Sequence, residues 1–134
     1  MKTKKEFALS QLAPYLADPS TCGYEEQNDL CLYLTDEGKM CVAGKNMLNP
    51  EVFENNSSIE DILIYKLQEE VFKPEVVGIL TSEEWGFMQL IHDQIATNKP
   101  VNMEKNIKRL NLFTLEELEE RAESLKKLKK DLVD

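Results

Sequence analysis

Apolar residues along the chain fall into blocks of helical period, each preceded by a start signal. Thr3-x-x-Glu6 is a capping box, followed by Phe7, Leu9, Leu12 and Leu16 and then by Pro19. Ser57 or Ser58 stands ahead of Ile59, Ile62, Leu63 and Leu67. Thr81-x-x-Glu84 opens a block with Trp85, Met88, His92 and Ile95, and Pro100 follows its end. Thr114-x-x-Glu117 opens the last block. Asn49 before Pro50 sets a cap ahead of proline at a first helical position, which predicts a short turn of helix.

Between the first two blocks the pattern changes. "DLCLYL" and "KMCVAG" flank Thr35-Asp36-Glu37-Gly38-Lys39, which suits a type I turn with Gly38 left-handed. The spacing predicts a β-hairpin with Thr35 opposite Lys39, Tyr33 opposite Cys41 and Cys31 opposite Ala43. Cys31, Tyr33, Cys41 and Ala43 then share one face, and Leu30, Leu32, Leu34, Met40 and Val42 the other. Both faces suit burial, so helices are expected to cover the hairpin, which is marginal alone. Residues 73–80, "KPEVVGIL", read equally as a third short strand or an extended connector. The expected fold class is α+β: a β-hairpin, with or without that third strand, packed by four or five helices and ending in a C-terminal amphipathic helix. Residues 1–96 form the compact domain, 97–113 a linker and 114–134 the terminal helix.

That terminal helix carries a stripe of Leu115, Leu118, Ala122, Leu125, Leu128 and Leu132. Its acidic first half and basic second half complement the helix dipole. The stripe has two ways to be buried. It packs back on its own domain, or it pairs with a second copy in a homodimer with Leu118, Leu125 and Leu132 in the seam.

Length and charge narrow the class. A chain of 134 residues builds one core without staples. Net charge is −9, and residues 25–80 hold 12 acidic groups against 4 basic ones. Phosphate backbones repel such a surface, and an aromatic content of 7% leaves little for base stacking, so no direct nucleic-acid binding is expected. The acidic body suits a basic partner, or serves solubility alone. No apolar run is long enough to span a bilayer, and Ser10, Gln11 and Pro14 interrupt any leader-like core at the start. The expected setting is cytoplasmic, with no membrane partner. An odd count of three cysteines in a reducing compartment argues against a structural disulfide.

Cys31-x-Tyr33, Gly38 and Cys41-x-x-Gly44, with Ile91-His92-Asp93 later, stand in an order that resembles an uncharacterised family of small bacterial and phage proteins. The likeness covers roughly the first three quarters of the chain. Val42 and Ala43 are exchanged relative to that pattern, and Lys45-Asn46-Met47-Leu48 is less apolar. The resemblance implies a bacterial or phage origin and no particular activity.

Candidate chemistry is sparse. Cys22, Cys31, Cys41 and His92 are every cysteine and histidine in the chain, and together they would form a Cys₃His shell for structural zinc. Their spacing lacks the close Cys-x₂₋₄-Cys knuckle, so the preferred reading makes the cysteines small buried hydrophobes and assigns no cofactor. Any nucleophilic scheme must use His92, with Cys41 as its partner. Neighbouring helical residues point about 100° apart, so Asp93 is not expected to orient His92; a buried His92 bonded to a backbone carbonyl or a tyrosine is the plainer reading. Glycines are scattered and form no phosphate loop. The expected function is that of a small non-enzymatic binding protein, a phage accessory or anti-defence factor acting on a protein or a small ligand. The alternatives are a Cys41/His92 hydrolase or transferase, with or without zinc, and a structural component of a larger assembly.

Overall fold

The computed structural model describes residues 3–25, 30–53 and 58–133, with the backbone alone for Leu30, Cys31 and residues 131–133. Four helices begin where the start signals put them. Thr3 Oγ1 accepts the Glu6 N–H at the head of α1 (Lys4–Ala17). Ser58 does the same for Asp61 in α2 (Ile59–Tyr65). A single turn, α3 (Gln68–Val71), follows. Thr81 and Glu84 form a reciprocal box at α4 (Ser82–Ala96). Thr114 and Glu117 repeat it at α6 (Leu115–Val133). Each box satisfies two N–H groups that the helix itself leaves open.

The α+β expectation is overturned. The fold is mostly helical, and its ladder among the described residues joins only β1 (Tyr24–Glu25) to β2 (Leu30–Cys31). The predicted turn does form: Thr35 N–H reaches the Lys39 carbonyl at 2.8 Å, and Gly38 has φ +86°. Beyond it the two arms do not pair, because Gly23 is wedged between them. Leu32 donates its N–H to the Gly23 carbonyl at 2.7 Å. A Cβ on Gly23 would collide with Cys41 N and Leu32 O, so only glycine fits there. Residues 73–80 form no strand; they make a 3₁₀ turn at Pro74–Val76 and a left-handed step at Gly78.

The expected linker is also corrected. Residues 97–113 contain α5 (Pro100–Leu110), which buries Met103, Ile107 and Leu110 and packs on α4. Pro100 is its first residue rather than a stop, and left-handed Asn98 and Asn111 bound it on either side.

The terminal helix α6 packs on α1. Lys5 pairs with Glu117, Glu6 takes the Arg121 fork at 2.9 and 3.0 Å, and Asp18 lies 3.8 Å from Lys129. Residue numbers rise together along both helices, so they run parallel. Leu118 and Ala122 are buried in this seam, and Leu115 and Leu125 pack against its edge. Leu118 is therefore committed to its own chain and is not free for the dimer seam expected from sequence. The Leu132 side chain lies outside the described residues.

Three helix N-termini converge at one end. Lys4 reaches Glu84 of the α4 box at 2.7 Å, and Lys5 pairs with Glu117 of the α6 box. At Glu84, burial raises the carboxyl, but Lys4 and the Thr81 N–H more than offset it, so it sits below its ordinary value. Lys5 and Thr114 lower Glu117 likewise.

Two outcomes follow from this packing. Leu118→Ala should lower the unfolding free energy by about 2–5 kcal/mol, read by urea titration, because it hollows the α1–α6 seam. A carboxyl held low in the folded state gives stability that is complete above its unfolded value of 4.5 and fades as pH falls through the folded one. The urea midpoint should therefore drop below pH 4.5, and Glu84→Gln should flatten that drop.

Candidate functional site

Many of the described residues from Cys22 to Asn46 are buried outside helix and ladder, so their polar backbone groups must find other partners. Helices α1 and α4 supply them. From α4, His92 Nε2 accepts the Gly23 N–H at 3.1 Å, and Gln89 Oε1 accepts the Ala43 N–H at 3.2 Å. From α1, the Tyr15 hydroxyl donates to the Met40 carbonyl at 2.8 Å. Gln11 Oε1 accepts from Asn46 Nδ2 at 2.7 Å, and Asn46 also donates to the Val42 carbonyl.

His92 is fully buried, as its place on the apolar face predicts. An N–H pointing into Nε2 leaves the ring proton on Nδ1, which faces Asp93 Oδ1 at 2.9 Å. Asp93 thus does orient His92, contrary to the expectation from helical geometry. The short, half-buried Asp93 carboxylate reaches back to Nδ1 from the next position. Gln89, one turn earlier, donates to the same oxygen at 3.1 Å. The Tyr15 ring meets His92 edge-on, with centroids 4.7 Å apart.

The cysteines have other surroundings. Cys41 is fully buried, its Sγ accepts the Gly44 N–H at 3.3 Å, and burial pushes its thiol up to about 12. Cys22 is buried too, and its thiol is likewise pushed up to about 12, chiefly by desolvation. A thiol this high stays protonated near neutrality and is a poor nucleophile. His92 has Nε2 occupied by Gly23 and Nδ1 by Asp93, so neither nitrogen is free to act as base for Cys41. Among the described residues no three His, Cys, Asp or Glu side chains gather in a metal-holding group. The Cys31 side chain, the remaining member of the expected Cys₃His set, lies outside them.

A different feature opens beside this network. A groove of about 780 Å³ runs between the C-terminal half of α1, the Gly38 turn and the later part of α6. Pro14, Ala17, Met40 and Leu125 give it apolar walls, and Lys39, Lys45, Lys126 and Lys129 bring four cations to it. Three of these lysines sit near carboxylates: Lys39 with Glu37, Lys126 with Glu123 and Lys129 with Asp18. Lys45 differs. Its Nζ donates to the Gln11 carbonyl at 2.9 Å and stands 4.5 Å from the centre of the Tyr15 ring. Burial lowers its ammonium to about 8.

Sequence reasoning missed this groove. Its lysines come from three separate parts of the chain, and Lys126 and Lys129 read as ordinary balance for a helix dipole. The presence of Lys45 in an otherwise apolar stretch was the one available signal. Comparison with protein-family models, with curated proteins and with solved structures gave no match. Among the described residues no helix is long and apolar enough to cross a membrane.

The buried thiols give a direct check. In Cys31→Ser protein, a thiol reagent should label the native chain orders of magnitude more slowly than the urea-unfolded chain, where both remaining cysteines react at once.

Proposed function

We propose that this is a non-enzymatic binding protein, and that the lysine groove takes a small anion with an apolar body. The observation that carries this reading is Lys45: an ammonium drawn into the protein against a carbonyl and a ring face, at the wall of an open groove. Burying a cation costs free energy unless an anion meets it, so an arriving carboxylate or phosphate gains the interaction that the free protein forgoes. The apolar walls suit an alkyl or aromatic body, and Lys39, Lys126 and Lys129 provide further charge at the rim. The high thiols and the saturated His92 favour binding over catalysis.

Titration calorimetry with decyl phosphate, using decanol as the uncharged counterpart, tests it. Decyl phosphate should bind and decanol should bind far more weakly. Lys45→Gln should weaken decyl phosphate by about tenfold or more, the worth of one charged hydrogen bond, while Lys66→Gln outside the groove should not. Binding needs the protonated amine, so affinity should fall as pH rises through about 8. Equal binding of the alcohol, or an unchanged affinity in Lys45→Gln, would sink the reading.

A further inference from the structure

Helix α2 is apolar on more sides than the core uses. Of its seven residues, Ile59 and Ile62 are buried and Leu63 packs partly against the core, on the side facing α4. Ile64 and Tyr65 point the other way and are 71% and 87% exposed. Leu67, just beyond, is 62% exposed. A short helix that is apolar nearly all round ordinarily has something on both sides.

Further exposed apolar residues stand near the helix in sequence. Leu67 opens the turn of α3, and the Val71 carbonyl at its end accepts the Leu48 N–H at 2.9 Å. Leu48 and Val52 are themselves 47% and 68% exposed. Five of the eight large apolar side chains found exposed among the described residues therefore fall between Leu48 and Leu67. Single exposed apolar residues are unremarkable, but a cluster of this kind marks an interaction surface.

Charge selects the occupant. From Leu48 to Glu75 the chain carries seven acidic residues and two lysines. Glu51, Glu60, Asp61, Glu69 and Glu70 are all exposed on the elements that bear the patch. A second copy would bring acid against acid, and an anionic membrane would be repelled. We infer that the surface formed by Ile64, Tyr65 and Leu67, with Leu48 and Val52, docks a cationic amphipathic segment of another protein, whose apolar face covers the patch while its lysines or arginines meet the acidic rim. Tyr65 is the natural anchor, since a large exposed ring gains most on burial. The site shares no residue with the lysine groove, so each stands or falls alone.

The full chain can be tested with a dye-labelled helical peptide of about 18 residues, made of leucine and lysine with all leucines on one face. Fluorescence anisotropy should show binding. Ile64→Ser combined with Tyr65→Ser should weaken it by about tenfold without moving the melting temperature, and Val101→Ser, at an exposed apolar site on α5, should leave it unchanged. A peptide of the same composition with leucines spread round the helix should bind less well. Absence of binding, equal binding to the double variant, or equal binding of the dispersed peptide would overturn the proposal. So would preference for a leucine–glutamate peptide, binding to phosphatidylglycerol vesicles, or self-association of the full chain, in each case where the double variant abolishes it.

Discussion

The structure depends on how one irregular, buried segment satisfies its backbone. The described residues between Cys22 and Asn46 run through the core with only a two-residue ladder and one 3₁₀ turn of their own. An unpaired buried N–H or carbonyl costs about 1–3 kcal/mol, so several left open would consume a large part of a small protein's stability. Tyr15, Gln89, His92 and Asn46 each take one of these groups. The single histidine is thereby explained as a backbone acceptor held in position by Asp93.

The helices that carry those side chains are themselves locked at one end. The N-termini of α1, α4 and α6 meet through Lys4 and Lys5, whose carboxylate partners are also the capping residues of α4 and α6. Exposed ion pairs of this kind contribute little singly. Those that join α1 to α6 run in register along both helices and match their parallel pairing. Because α6 runs the same way as α1, its basic second half arrives beside the C-terminal end of α1, and Lys126 and Lys129 reach the groove.

Charge is thus sorted in space as well as along the chain. Glu60, Asp61, Glu69 and Glu70 lie exposed on α2 and α3, beside the exposed Ile64, Tyr65 and Leu67. Lys39, Lys45, Lys126 and Lys129 gather around an apolar-walled groove beside the C-terminal half of α1. On the readings proposed above, the two surfaces take ligands of opposite sign, one a small anion and the other a cationic segment.

The sequence by itself determined the starts of α1, α2, α4 and α6. Thr3, Ser58, Thr81 and Thr114 act within one turn of chain, so their capping is local and legible. It determined that Gly38 turns left-handed, and that Trp85, Met88, His92 and Ile95 face inward. Tertiary structure decided the rest. The arms beside Gly38 alternate as strands should, yet Gly23, distant in sequence, occupies the space between them. Pro100 reads from sequence as the stop after α4, but burial of Met103 and Ile107 made it the first residue of a further helix. The partner of the Leu118 stripe and the meeting of Lys45 with Lys126 and Lys129 depend on helices folded against each other from opposite ends of the chain. Caps and turns are visible in sequence because their free energy is spent between near neighbours; the groove and the wedge arise between residues whose proximity no local pattern encodes.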